Sequence, residues 1–326
     1  MDALAHIPAV LALLMGLALL VGGGELLVRG AAALALKANI PPLIIGLTVV
    51  SMGTSAPELF ASVQAALDGN PGLSVGNVIG SNVANLALIL GLTALVSPVV
   101  VDRMAMRLDI PLMVGMSLLF VAAAADLEIS RNEGIAGLVL MAAFLGNLYW
   151  RSQRQEKQDE DDGELTEASQ WATWSPLALV GVLILGMAGL YLGSEGFVDG
   201  ARRMALDFGV SNRVVGLTIV AFGTSVPELV ASGIAAMRGQ SDLAIGNVVG
   251  SNLFNLLLVL GTTATITPLP MEASVLSWDI WWLLGTACAL IPLAILGGLK
   301  TPRMGRWQGG LFVLAYVAYI ALTWTA

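Results

Sequence analysis

Apolar residues in this chain run in blocks on the scale of a bilayer. At about 20 residues per crossing of a hydrocarbon layer about 30 Å thick, ten stretches are long enough to span. They lie near residues 8–28, 43–67, 73–97, 108–125, 133–150, 175–198, 213–237, 243–267, 278–298 and 306–325. The second, third, seventh and eighth carry Gly, Pro, Asn and Ser among their apolar residues, and this pattern predicts four discontinuous helices. Inside the second stands Gly53-Thr54-Ser55-Ala56-Pro57-Glu58-Leu59, and inside the seventh Gly223-Thr224-Ser225-Val226-Pro227-Glu228-Leu229. A carboxylate within a span is costly, and so is an internal proline, so a chain that keeps both twice puts them to use.

The two segments belong to a longer repeat. Residues 46–62 and 216–232 agree at twelve of seventeen positions at an offset of 170, and residues 76–91 agree with 246–261 at eleven of sixteen. Glu25 maps to Glu195, Gly30 to Gly200 and Pro98 to Pro268 in the same register. The expected fold is therefore an all-α polytopic membrane protein of ten transmembrane helices in two copies of five. The copies occupy residues 1–150 and 175–326, joined by a linker over 151–174. An odd number of spans makes the second copy enter the membrane from the opposite side. The halves are then inverted-topology repeats, with helices 2, 3, 7 and 8 meeting around an ion site at the midplane.

Composition strengthens the membrane assignment. The 326 residues are 57% hydrophobic and 12% charged, with a mean hydropathy of +0.84, which excludes a soluble globule. Nucleic acid is not an expected partner; the lipid bilayer is. Cys288 is the single cysteine, so an internal disulfide and a Cys-rich metal site are excluded. His6, the single histidine, lies at the N-terminal edge and leaves no imidazole relay inside the membrane. The first span has Asp2 before it and no basic region, and reads as a span rather than a cleavable leader. With both termini outside, eleven Lys and Arg fall in inside loops and four, Arg131, Arg202, Arg203 and Arg213, fall outside. The net charge of −8 owes much to the acidic run over 156–164. That run reads as a solvated cytoplasmic connection, because it lacks the alternate-position spacing of a calcium loop.

The chemistry concentrates in the repeated stretches. Pro57 has no N–H, so the carbonyl of Gly53 and its neighbours lose helical partners and can face a cavity. Ser51, Ser55, Glu58 and Ser62 share one helical face, with Thr54 on its flank; the second copy offers Ala221, Ser225, Glu228 and Ser232, with Thr224 beside them. Asn77, Ser81 and Asn85 form another stripe, repeated as Asn247, Ser251 and Asn255. Such stripes often mark only close-packed helices, but four matched stripes with a mid-span Glu in each half point to an ion site. The donor set is all oxygen, which suits calcium, magnesium, manganese or sodium rather than zinc, copper or iron. Two carboxylates balance one divalent ion, and calcium tolerates the irregular geometry of hydroxyls and carbonyls. Asn82 and Asn252 point away from the Asn85 and Asn255 face and are expected to bond between helices. Glu25, with Arg29 one turn on, reads as an interfacial ion pair. Ser55 and Ser225 have no Lys or His as base, so an intramembrane hydrolase is disfavoured and the protein is not expected to be an enzyme.

The doubled Gly-Thr-Ser-x-Pro-Glu, each followed by Gly-Asn-Val-x-Gly-Ser-Asn-x-x-Asn, resembles the paired repeats of the sodium/calcium exchanger family within the calcium/cation antiporter superfamily. The resemblance implies that Glu58 and Glu228 are the central calcium ligands, with Thr54 and Thr224 giving backbone carbonyls. It further implies that Ser55, Ser225, Ser81 and Ser251 help to form flanking sodium sites, that Asn85 and Asn255 occupy the family's polar position, and that the carbonyls of Ser51 and Ala221 are further sodium ligands. Residues 8–30 and 175–200 would be the gating pair of helices. The implied function is secondary active exchange of Ca2+ for Na+ by alternating access, with no permanently bound cofactor and no protein partner, as a monomer. A proton-coupled calcium antiporter and, from another class, a passive cation channel are the alternatives. This chain departs from some members in having Asn at both 85 and 255, which leaves two acids in the site. A linker of 24 residues has no room for the regulatory domains of animal members, which favours a prokaryotic inner membrane.

Overall fold

The computed structural model describes residues 8–154, 170–208 and 223–323. Helix α1 (Ala9–Ala38) stops at Asn39, whose left-handed φ of 56° returns its N–H to the carbonyls of Ala35 and Leu36. Two prolines follow, and the second opens α2 (Pro42–Thr54) at the position where its missing N–H is harmless. A bend of 44° separates α2 from α3 (Ala56–Leu67). Helices α4 (Pro71–Val96), α5 (Ala105–Asp126) and α6 (Arg131–Arg154) complete the first half. The second contains α7 (Pro176–Asp207), α8 (Val226–Met237), α9 (Ser241–Ile266), α10 (Val275–Gly297) and α11 (Arg306–Thr323).

The offset of 170 governs the turns as well as the motifs. Gly69 at φ +80° closes α3, and Gly239 at φ +75° closes α8. In each case the next residue sends its N–H back into the helix, Asn70 to the carbonyl of Ala65 at 2.9 Å and Gln240 to that of Ala235 at 2.8 Å. Glycine meets the left-handed conformation this cap requires without a Cβ penalty. Four two-residue strands, β1 (Val99–Val100), β2 (Glu128–Ile129), β3 (Leu269–Pro270) and β4 (Arg303–Met304), form two antiparallel ladders. The ladders join β1 to β4 and β2 to β3, so each ties a loop of one half to a loop of the other.

Among the described residues, seven helices are long and apolar enough to cross a membrane, or eight if bent α2–α3 is one span. The protein is thus a mostly helical polytopic membrane protein. Of the ten expected spans, the seventh begins in residues outside those described, and α11 begins with Arg306 and Gln308, which dilute an otherwise apolar helix of 18 residues. One expectation is corrected: the third and eighth spans are not discontinuous. Helices α4 and α9 run unbroken for 26 residues each, because Pro71 sits at the first position and no interior N–H is missing. Their Asn and Ser residues mark instead π-helical turns, Ala84–Leu90 and Asn255–Val259, which widen the helix beside Asn85 and Asn255. True breaks occur at the two Pro-Glu motifs.

Helices α4 and α9 form the centre, with 78% and 94% of their apolar windows buried, against 33% for α1. Helix α1 packs along α7 backbone to backbone. A Cβ on Gly23 would stand 2.6 Å from the amide nitrogen of Leu190, and one on Gly186 would stand 2.7 Å from that of Leu27. Small residues let two helices approach this closely where the surrounding lipid supplies no hydrophobic drive. The second half of α1 is held by charge. Glu25 pairs with Arg29, as its spacing predicts, and also with Arg238 at the end of α8, through Nε at 3.0 Å. Arg29 stands 5.8 Å over the ring of Trp171, and Lys37 donates to the carbonyl of Ala172 at 3.1 Å, so the final stretch of the linker rests on α1. Arg151, placed by the sequence at the start of the solvated linker, is instead buried at the end of α6 in a two-point pair with Asp109, at 2.6 and 3.2 Å.

The close α1–α7 packing makes neighbouring glycines unequal. Gly23→Val should cost about 1–3 kcal/mol by overpacking, whereas Gly22→Val, facing open space, should be nearly neutral. Thermal unfolding of the two purified variants in one detergent measures the difference.

Candidate functional site

The first half builds its share of the site by ending α2 and starting α3, and the second by starting α8. Pro57 cannot donate to Gly53, nor Pro227 to Gly223, so the chain leaves helical geometry at Ser55 (φ −84°, ψ 3°) and Ser225 (φ −91°, ψ 2°) and resumes it one residue later. The resumed helices are α3 and α8, and Glu58 and Glu228 fall in their first turns. A helix N-terminus presents unpaired N–H groups and a partial positive charge, which favours a carboxylate there. Both side chains are buried, at 0% and 1% exposure.

The two motifs are interlocked. Ser55 donates to Glu228 Oε1 at 3.3 Å, and Ser225 donates to Ser81 Oγ at 3.5 Å. Thr54 donates to Asn247 Oδ1 at 3.1 Å, while Asn247 spends its amide nitrogen on Ser232 Oγ at 2.9 Å. Asn77 repeats that last bond with Ser62 at 3.0 Å. The Ser51 hydroxyl donates to the carbonyl of Gly46 at 2.6 Å and reaches those of Gly246 and Asn247 at 3.3 and 3.2 Å, which fixes α2 against α9. Its own carbonyl accepts from the Ser55 N–H at 2.9 Å and from Thr54 Oγ1 at 3.4 Å.

A second group of polar atoms is buried with no hydrogen bond among the described residues. It includes both oxygens of Glu58, Oε2 of Glu228, the hydroxyls of Thr224 and Ser251, the side-chain oxygens of Asn252 and Asn255, and both side-chain polar atoms of Asn85. Leaving one such group unsatisfied costs about 1–3 kcal/mol, more if it is charged. These orphans gather in the repeated motifs and in the two central helices, with members from both halves. All but the Asn85 amide nitrogen are oxygen acceptors or hydroxyls, the donor chemistry of a hard cation. Among the described residues no three His, Cys, Asp or Glu cluster as a metal site, so neutral oxygens would have to complete any coordination around the two acids.

Of the residues singled out by sequence, Glu58, Glu228, Thr54, Thr224, Ser55, Ser225, Ser81, Ser251, Asn85 and Asn255 are all in or beside this region, and Ser51 lies one turn before the first break. Ala221 falls outside the described residues. Asn82 does bond between helices, to the carbonyl of Asn252 at 3.4 Å. It also accepts from Asn255 Nδ2 at 3.1 Å, so it is not turned away from the opposite copy's stripe. The reason is that α4 and α9 face each other, and a residue off one stripe meets the other. Sequence reasoning missed Ser194, whose hydroxyl donates to the carbonyl of Gly223 at 2.6 Å. The only signal for it was a serine in an apolar span together with a carbonyl that Pro227 leaves free.

Known proteins resemble this chain over most of its length. The family described as sodium/calcium exchanger protein matches residues 8–150 and 178–325. A putative antiporter CaxA of Alkalimonas amylolytica is 38% identical over 319 residues, 95% of this chain and 97% of the relative. The sodium/calcium exchanger MaX1 of Methanosarcina acetivorans is 29% identical over 344 residues, 96% and 97% of the two chains. A solved structure of the sodium-calcium exchanger NCX_Mj, soaked with 10 mM Na+ and no Ca2+, superposes with a TM-score of 0.80 at 34% identity, covering 96% of this chain and 98% of that one.

The hydrogen bonds of Asn247 and Asn77 differ in burial. Asn247→Ala should cost about 1–3 kcal/mol because it strands Thr54 and Ser232, and Asn77→Ala should cost less, since Asn77 is only half-buried. Melting curves of the two variants test the ranking.

Proposed function

Because the chain belongs to the sodium/calcium exchanger family, we propose that it is an antiporter exchanging Ca2+ for Na+, with Glu58 and Glu228 shared by the competing cations. The observation that carries the proposal is the set of buried, unbonded oxygens contributed by both halves. A charge buried without compensation is strongly unfavourable, so the pair of carboxylates needs cations to cross the membrane in either direction. Calcium balances both acids at once, and sodium ions on the same and flanking oxygens displace it. Thr54 and Thr224 supply carbonyls to calcium. Ser55, Ser225, Ser81, Ser251, Asn85 and Asn255, with the carbonyls of Ser51 and Ala221, serve sodium.

In this proposal the chain has ten spans in two inverted halves, residues 1–150 and 175–326, with the linker 151–174 and its positive flanks in the cytoplasm of a prokaryotic cell and both termini outside. The ladders support the topology, since each unites two loops that a ten-span path puts on the same side: β1 with β4 inside, β2 with β3 outside. The Glu25–Arg238 pair likewise joins two inside ends. Helices α1 and α7 would move together against the rest to open the site to each side in turn, and their smooth glycine contact supports movement as one body. No resident cofactor and no second subunit are needed.

Glu58→Gln and Glu228→Gln keep the shape and remove the charge. Each should abolish calcium-45 uptake into sodium-loaded proteoliposomes and also remove the rise in melting temperature that Ca2+ gives the parent protein. Near-normal exchange in either variant would sink the assignment. Calcium flux driven by a pH gradient without sodium would transfer the coupling to protons.

A further inference from the structure

We propose that Ser194 is a positioning residue that ties helix α7 to the ion site through the backbone of Gly223. The Ser194 hydroxyl is buried and donates to the Gly223 carbonyl at 2.6 Å. That carbonyl stands four residues before Pro227, whose nitrogen carries no hydrogen, so no helical N–H can take it. The acceptor released at the break is thus claimed by a side chain from another helix, next in sequence to Thr224 and five residues before Glu228.

Helix α7 touches both breaks but is bonded to only one of them in this way. A Cβ on Gly53 would meet the Met187 side chain, and one on Gly223 would meet Val198 Cγ2 at 2.6 Å, so α7 flanks both motifs along roughly 16 Å of its length, at 1.5 Å per residue. At the position 170 residues before Ser194 the chain has Gly24, which has no hydroxyl and abuts Ile234 and Val230 of α8. The tether therefore belongs to the second half alone. Axial movement of α7 breaks the Ser194 bond and turns the Gly223 carbonyl loose beside Glu228. The position of α7 and the number of oxygens offered to the cation are then linked by one hydroxyl. The tether stands on geometry, and its part in transport rests on the antiporter reading.

The test is hydrogen–deuterium exchange of the full-length protein in lipid nanodiscs, with calcium flux measured on the same preparations. In S194A, a smaller side chain that fits the same space, amides over residues 223–230 should exchange roughly two- to tenfold faster, the range for one lost hydrogen bond. The maximal rate of calcium exchange should change by a similar factor while the half-saturating Ca2+ concentration moves less than twofold. S194T, which keeps the hydroxyl, should restore both. Unchanged amide exchange in S194A, or a larger defect in S194T than in S194A, overturns the tether, since the latter is the order that packing alone produces. If the parent protein carries out no sodium-driven calcium flux while the amide result holds, the antiporter reading falls and the tether stands.

Discussion

Two carboxylates lie at the centre of a protein surrounded by hydrocarbon, and three of their four oxygens have no hydrogen bond. The described residues supply the N-terminal ends of α3 and α8 and nearby hydroxyls, of which Ser55 is bonded to Glu228 at 3.3 Å. The remainder is what the proposed cation would supply, and the local architecture presents both acids to it. The prolines place each Glu in a first turn, the glycine caps fold α3 onto α4 and α8 onto α9, and the asparagines of α4 and α9 fill the space between.

Duplication makes the site, but the copies are not equivalent. Asn247 receives Thr54 from the other half, whereas Asn77 is half-buried and donates to Ser62 of its own half. Asp109 is answered by Arg151, while Asp279, its counterpart at the same offset, accepts from the hydroxyl of Tyr319 at 2.9 Å. Ser194 has Gly24 as its counterpart. Each difference gives residues that correspond at the offset of 170 unlike surroundings in the two halves.

Much of this was legible in the chain. The offset of 170 shows which residues correspond, and the Pro-Glu motif shows where α2 gives way to α3, whereas Pro111 and Pro292 lie inside α5 and α10 without ending them. The continuity of α4 and α9 is not legible in the sequence, because Gly, Asn and Ser read as breakers, whereas a helix that neighbours enclose keeps its ladder wherever every N–H is present. The longer reach of α1, to Ala38 instead of about 28, comes from the buried alanines at 31–33, which hydropathy does not separate from a loop start. Arg151 with Asp109 and Ser194 with Gly223 are 42 and 29 residues apart, and no local pattern pairs them. The asparagine stripes showed their faces but not their partners, since that depends on how α4 and α9 cross.

The ladders carry a consequence for folding. Each closes an edge of one copy with an edge of the other, so a single copy would leave two strand edges open and its Asn-Ser stripe against lipid. A copy on its own would need a partner to supply both strand edges and a second polar stripe, so the two halves of this chain depend on each other to fold.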